Sequence, residues 1–191
     1  MRVAVVDHGM GNLRSVQKAL EAAGARTDVT DDPAAIDGAD ALCVPGQGIF
    51  GRCVDNLRAA GLDALISSWI EDGRPYLGIC LGMQVLFESS EERGPVGGLG
   101  LLRGDVARLP ASVRVPHMGW NTVGDEYFYF DHSYAARPAD EGIVSGWAEH
   151  GGRWAARIDT GSILGVQFHP EKSGRAGIEL LRRWLTSKET R

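Results

Sequence analysis

Cysteine is scarce here and shows no pairing. Cys43, Cys53 and Cys80 form an odd set with no CxxC spacing and no His-rich neighbourhood. That argues against a disulfide framework and a zinc site, and for a reducing compartment. No apolar run approaches the roughly 20 residues that span a bilayer. The first residues, Met1, Arg2, Val3, Ala4, Val5 and Val6, enter a strand-like run without a signal-peptide hydrophobic core. A cytoplasmic location is therefore expected. Basic residues are in the minority: the formal net charge is −5, with no long block of one sign. Neither a nucleic acid nor a membrane is expected as partner. Repeats, low-complexity segments and linkers are missing too. The 191 residues, 43% apolar, suffice for a single domain spanning 1–191 with a sizeable core.

Two phosphate-binding signatures are also absent. Gly9 and Gly11 begin a dinucleotide-type loop, but Arg14 stands where its third glycine belongs, and there is no Walker-type loop. No cofactor and no metal is expected. What is present is alternation. Strand-like runs at 3–7, 41–44 and 75–79 alternate with helical patterns. The first helix carries Leu13, Val16, Leu20 and Ala23 on one stripe, with Asn12 as N-cap and Gly24 as stop. Helices are also expected over 57–70, broken at Gly61, and over 83–89. Beyond Gly94 short strands dominate, at 99–102, 127–130, 143–147, 154–158 and 163–168. A last helix over about 174–187 carries Ile178, Leu181, Trp184 and Leu185 on one face. The pattern predicts a doubly wound α/β domain: a mostly parallel sheet flanked by helices, with antiparallel β additions in the C-terminal half.

Two stretches carry chemistry. In "YLGICLGMQ", residues 76–84, Cys80 follows a strand and precedes a helix, with Gly78 two before and Gly82 two after. This is a nucleophile elbow with cysteine in the reactive position. The sharp turn crowds its flanks against neighbouring chain, so only hydrogen side chains fit. The sulfur points outward at a helix N-terminus, which favours thiolate. A drop of two pKa units from ~8.5, about 2.7 kcal/mol, would ionise most of it. Cys43 and Cys53 lack such framing and read as plain thiols. In "GVQFHPEKS", residues 165–173, His169 and Glu171 lie two apart around Pro170. Extended backbone points i and i+2 to the same side, so the carboxylate can orient the imidazole. Cys80, His169 and Glu171 thus suit nucleophile, base and orienter. Oxyanion donors are expected from the Leu81 N–H and from Gly46, Gln47 and Gly48 in "PGQG".

Together, "PGQG", "GICLGMQ" and "GVQFHPEKS" resemble the class I (triad) glutamine amidotransferases in order and spacing across nearly the whole chain. "DHGMGNLRSV", "PHMGWN" and "DHSY" narrow the resemblance to the glutaminase subunits of imidazole glycerol phosphate synthase. The resemblance implies that Cys80 attacks the side-chain amide of L-glutamine, forming a γ-glutamyl thioester and releasing ammonia, with His169 and Glu171 assisting. Gln84, Glu92 and Ser133 match positions that bind the amino-acid part of glutamine. Pro116, Met118, Trp120 and Asn121 match a docking face. Ammonia would pass to a cyclase (synthase) subunit, which makes imidazole glycerol phosphate and aminoimidazole carboxamide ribotide in histidine biosynthesis. Gln47, His8 and Asp131 depart from the family's commonest residues, which are valine, tyrosine and valine. A glutaminase serving another pathway, such as pyridoxal phosphate synthesis, a free-standing cysteine hydrolase and a non-catalytic binding module are the alternative readings.

Overall fold

Residues 3–6, 41–44 and 76–79 are apolar on every side, as strands are when helices cover both faces of their sheet. The computed structural model describes residues 1–189. Its elements in chain order are β1 (Arg2–Val6), α1 (Leu13–Ala23), β2 (Arg26–Thr30), α2 (Pro33–Asp37), β3 (Ala41–Gly46), α3 (Phe50–Ala59), α4 (Leu62–Glu71), β4 (Tyr76–Cys80) and α5 (Leu81–Gln84). β5 (Phe87–Ser90), β6 (Val96–Gly97), β7 (Leu102–Arg108), β8 (His117–Val123), β9 (Glu126–His132) and β10 (Tyr134–Pro138) follow. Then come β11 (Val144–Glu149), β12 (Arg153–Asp159), β13 (Ile163–Val166) and α6 (Gly174–Glu189).

The main sheet has the order β11-β12-β13-β4-β3-β1-β2. The stretch from β13 to β2 is parallel, and β12 and β11 extend it antiparallel. Alternate residues feed two cores. Val3, Val5, Cys43, Leu77, Ile79 and Val166 pack with Val16 and Leu20 of α1 and Leu181 and Trp184 of α6. Ala4, Val6, Leu42, Val44 and Tyr76 pack on the other face with Ile36, Phe50, Leu57, Ile66 and Trp69. This is the predicted doubly wound arrangement. A small sheet, β10-β7-β5-β6, and the β8–β9 hairpin complete the C-terminal half.

Local signals act as expected around α1. Asn12 accepts a hydrogen bond from the Ser15 N–H, and Gly24 ends the helix at φ 109°. Gly61, at φ 67°, separates α3 from α4. α3 begins earlier than its pattern suggests, because Glu92 Oε2 accepts the Phe50 N–H at 2.7 Å from 42 residues away. The helix expected over 83–89 is a correction. α5 stops at Gln84, and the chain turns into β5. Residues 98–102 donate to the carbonyls of Val85, Leu86, Phe87 and Glu88, so a helix there would lose its acceptors to a neighbouring segment. The strand expected over 99–102 is instead that donating segment, and β7 starts at Leu102.

Candidate active site

Three adjacent strands, β13, β4 and β3, end at one edge of the sheet, where ligand crevices of open parallel sheets lie. β4 delivers Cys80, β3 delivers Pro45 and Gly46, and the segment after β13 delivers His169. Cys80 sits at φ 53°, ψ −107°, one of two non-glycine residues with positive φ among the described residues. Such backbone costs on the order of 1–3 kcal/mol and persists only where its surroundings impose it. The imposing contacts are visible. A Cβ on Gly82 would lie 1.7 Å from the Val44 carbonyl oxygen, and one on Gly78 would lie 2.5 Å from the Gly82 carbonyl oxygen. The elbow closes only with glycine at both positions.

His169 and Glu171 are nearly sealed from solvent, at 1% and 2% side-chain exposure, with Nδ1 to Oε1 at 2.8 Å. The contact was expected; its route differs. Pro170, Glu171 and Lys172 form a 3-10 turn rather than an extended run, so the carboxylate folds back onto the ring. Burial works against an imidazolium here. The nearby Cys80 sulfur and the hydrogen-bonded Glu171, with the charges of both, outweigh it and raise the His169 pKa to about 9. Its Nε2 is buried with no hydrogen-bond partner, as is Glu171 Oε2. Burial pushes the Cys53 thiol up to about 12, helped by Cys80, and pushes Cys43 up further, helped by Glu171. Both remain inert thiols in the core.

A cavity of about 270 Å³ opens over the sulfur. It is lined by Cys80, Leu81, Gln47, Gly48, Gln84, Glu92 and Ser133, with Pro116, Asp131, His132 and Tyr134. Gly46 lies beneath it, where a Cβ would meet Leu81 Cβ at 2.6 Å. The end of β3 is held by His8, whose Nε2 donates to the Pro45 carbonyl at 2.6 Å. Gln84 uses both amide hydrogens, on the Tyr134 carbonyl at 2.8 Å and on Gln167 Oε1 at 2.9 Å. It therefore has only its oxygen left to offer, an acceptor suited to an ammonium group.

The β8–β9 hairpin forms the far wall, and its faces divide by strict alternation. His117, Val123, Phe128, Phe130 and His132 point inward and are buried. Met118 and Trp120 point outward at 60% and 57% exposure beside Tyr127 at 62%. Trp120 meets Tyr129 edge to face at 6.1 Å between centroids. Asn121, expected as a partner contact, is partly exposed. It lies on the inner face, where its Nδ2 reaches His117 Nε2 at 3.1 Å and the Glu149 carbonyl at 3.0 Å. Lys172 pairs with Asp131 at 3.5 Å on the rim.

Sequence reasoning missed Gln167, whose Nε2 lies 3.5 Å from Cys80 Sγ. The signal was available: it is two residues before His169, hence on the same side of an extended run, and polar between Val166 and Phe168.

Comparison with known proteins settles the family. The family model "Glutamine amidotransferase class-I" matches residues 4–187. The chain is a class-I glutamine amidotransferase. This amidotransferase is 49% identical to the imidazole glycerol phosphate synthase subunit HisH of Moorella thermoacetica, covering 94% of this chain and 92% of the relative. It is 43% identical to the HisH subunit of Aquifex aeolicus, over 99% and 98% of the two chains. The amidotransferase fold also matches a solved structure described as a glutamine amidotransferase, with TM-score 0.77, 22% identity and 98% of each chain covered.

Proposed function

We propose that this chain hydrolyses L-glutamine to glutamate and ammonia and supplies the ammonia to a cyclase subunit of imidazole glycerol phosphate synthase, within histidine biosynthesis. The observation that carries the reading is Cys80 on a strained elbow with the sealed His169 and Glu171 pair behind it. The chain acts as one domain over 1–191, in the cytoplasm. No helix among the described residues is long and apolar enough to cross a membrane.

In the mechanism, Cys80 loses its proton to His169, and the thiolate attacks the side-chain amide carbon of glutamine. The developing oxyanion is met by the Leu81 N–H and by backbone N–H groups of the 46–48 loop. Glu171 keeps the imidazolium charged and oriented, and its proton goes to the leaving nitrogen, which departs as ammonia. The γ-glutamyl thioester remains. His169, now neutral, takes a proton from water as the water attacks, and glutamate and the Cys80 thiolate leave. Gln84 and Glu92 hold the α-ammonium of glutamine, and Ser133 binds its amino-acid end. Glu92 Oε2 is already used by Phe50, so Oε1 is the oxygen left for substrate. Met118 and Trp120, with Pro116 at the rim and the neighbouring Tyr127, form an exposed apolar face suited to the cyclase.

Replacing Cys80 with alanine should abolish glutamine-dependent synthesis by the complex and leave synthesis from added ammonia intact. Equal loss of both activities would refute the assignment.

A further inference from the structure

We infer that Gln167 is a further catalytic residue: its side-chain amide donates a hydrogen bond to the Cys80 sulfur, in an orientation imposed by a one-way hydrogen-bond chain across the site. The inference rests on the reading of Cys80 as nucleophile.

The chain is anchored by the Tyr134 carbonyl, which can only accept. His132 Nδ1 lies 2.9 Å from it and must carry hydrogen. Burial, with lesser repulsion from His117, His150 and His169, keeps His132 neutral despite that carbonyl, with its pKa lowered to about 3. Its Nε2 is therefore bare. His117 Nδ1, at 3.0 Å, must donate to it. The His117 ring is neutral too, lowered to about 4 by burial and by His150, so its Nε2 accepts from Asn121 Nδ2 at 3.1 Å. The other hydrogen of that amide goes to the Glu149 carbonyl at 3.0 Å. No ring in the series can turn over without setting two acceptors or two donors against each other.

The second branch from Tyr134 leads to the sulfur. Gln84 Nε2 gives one hydrogen to the Tyr134 carbonyl and the other to Gln167 Oε1. Gln167 Nε2 then faces Cys80 Sγ at 3.5 Å. A flipped Gln167 would oppose two NH₂ groups and aim a carbonyl oxygen at the sulfur. Gln167 is 1% exposed, so no rearranged solvent shell relieves that conflict. A hydrogen bond to a charged form favours it. Gln167 is uncharged and keeps its proton, so its contact to sulfur persists while His169 passes a proton to the leaving nitrogen. It acts again when thiolate leaves the thioester. His169 and Gln167 therefore divide the work, one moving the proton and the other holding the sulfur's charge.

The test is the pH dependence of Cys80 alkylation by iodoacetamide in the full chain, followed by peptide mass spectrometry, with and without glutamine as protectant. The ionisable groups around the sulfur are His169, with Glu171 behind it, Cys53, and Glu92, Asp131 and His132 in the cavity wall, and they are unchanged in Gln167→Met. That variant should raise the alkylation midpoint by about one pH unit and lower kcat of the complex about tenfold, with KM within about twofold. Gln167→Glu, which keeps the acceptor for Gln84 but loses the donor to sulfur, should raise the midpoint at least as far. If neither variant folds, the side-chain amide NMR signals of Gln167 in the unsubstituted chain should titrate with the alkylation midpoint. Midpoints unmoved in both variants, or amide signals indifferent to Cys80 ionisation, overturn the proposal while leaving the nucleophile in place. Alkylation of the unsubstituted chain that glutamine does not protect overturns the underlying reading as well.

Discussion

The two buried histidines of the hairpin predict how stability changes with acid. His132 has a folded pKa near 3 against an ordinary 6.5, and His117 one near 4. Their neutral forms are the folded forms. Their contribution is thus full above about pH 6.5 and is lost as pH falls toward 4 and then 3. For His132 alone, lowering pH from 7 to 4 removes about 3 kcal/mol, at ~1.4 kcal/mol per unit. Domains of this kind hold only about 5–15 kcal/mol in all. His169 works in the opposite direction. Its pKa is raised to about 9, so its contribution is full below 6.5 and lost as pH rises through 9. Stability should peak near neutrality and decline on both sides. Urea unfolding at pH 7, 6 and 5 covers a window largely above the carboxylate range. The native chain should lose at least ~1 kcal/mol per pH unit there, and His132→Asn should lose clearly less. Identical slopes for the two proteins would refute the assignment of the acid limb to these rings.

Two further substitutions probe the elbow and the docking face. Gly82→Ala places a Cβ 1.7 Å from a backbone oxygen, so it should cost at least ~3 kcal/mol or prevent folding, whereas Gly97→Ala, whose Cβ meets nothing within 4 Å, should change the urea midpoint by less than ~0.5 kcal/mol equivalent. Trp120→Ala should weaken binding to the cyclase by about 2 kcal/mol, roughly 30-fold in Kd by calorimetry, with the melting temperature little changed because the ring is exposed.

What could be read from the residues was what depends on neighbours in the chain. Gly78, Cys80 and Gly82 declared the elbow by their spacing, and the crowding at Gly78 arises within five residues, although what crowds Gly82 is the Val44 carbonyl of β3. The His169 and Glu171 contact was equally local, although Pro170 started a turn where extension was expected. Long-range partners stayed hidden. Residues 83–89 have helical composition, yet residues 98–102 take their carbonyls and make β5. Glu92 caps α3 from across the fold, which no window around Phe50 contains. Asn121 and Trp120 share one motif, yet strand alternation places them on opposite faces of the hairpin, which the motif alone does not declare.

That division of faces bears on how docking and chemistry are related. β8 and β9 form a single layer: Met118 and Trp120 face out, and His117 and His132 face in. His132 and Pro116 also line the cavity over Cys80. The outer face thus backs onto a wall whose inner residues border the cavity over Cys80. The inner residues are joined by directional hydrogen bonds to Gln84 and Gln167, and those bonds end at the sulfur. Tyr134, where both branches meet, therefore links the hairpin to the sulfur, whereas the backbone of Cys80 is held by the packed strands β3 and β4.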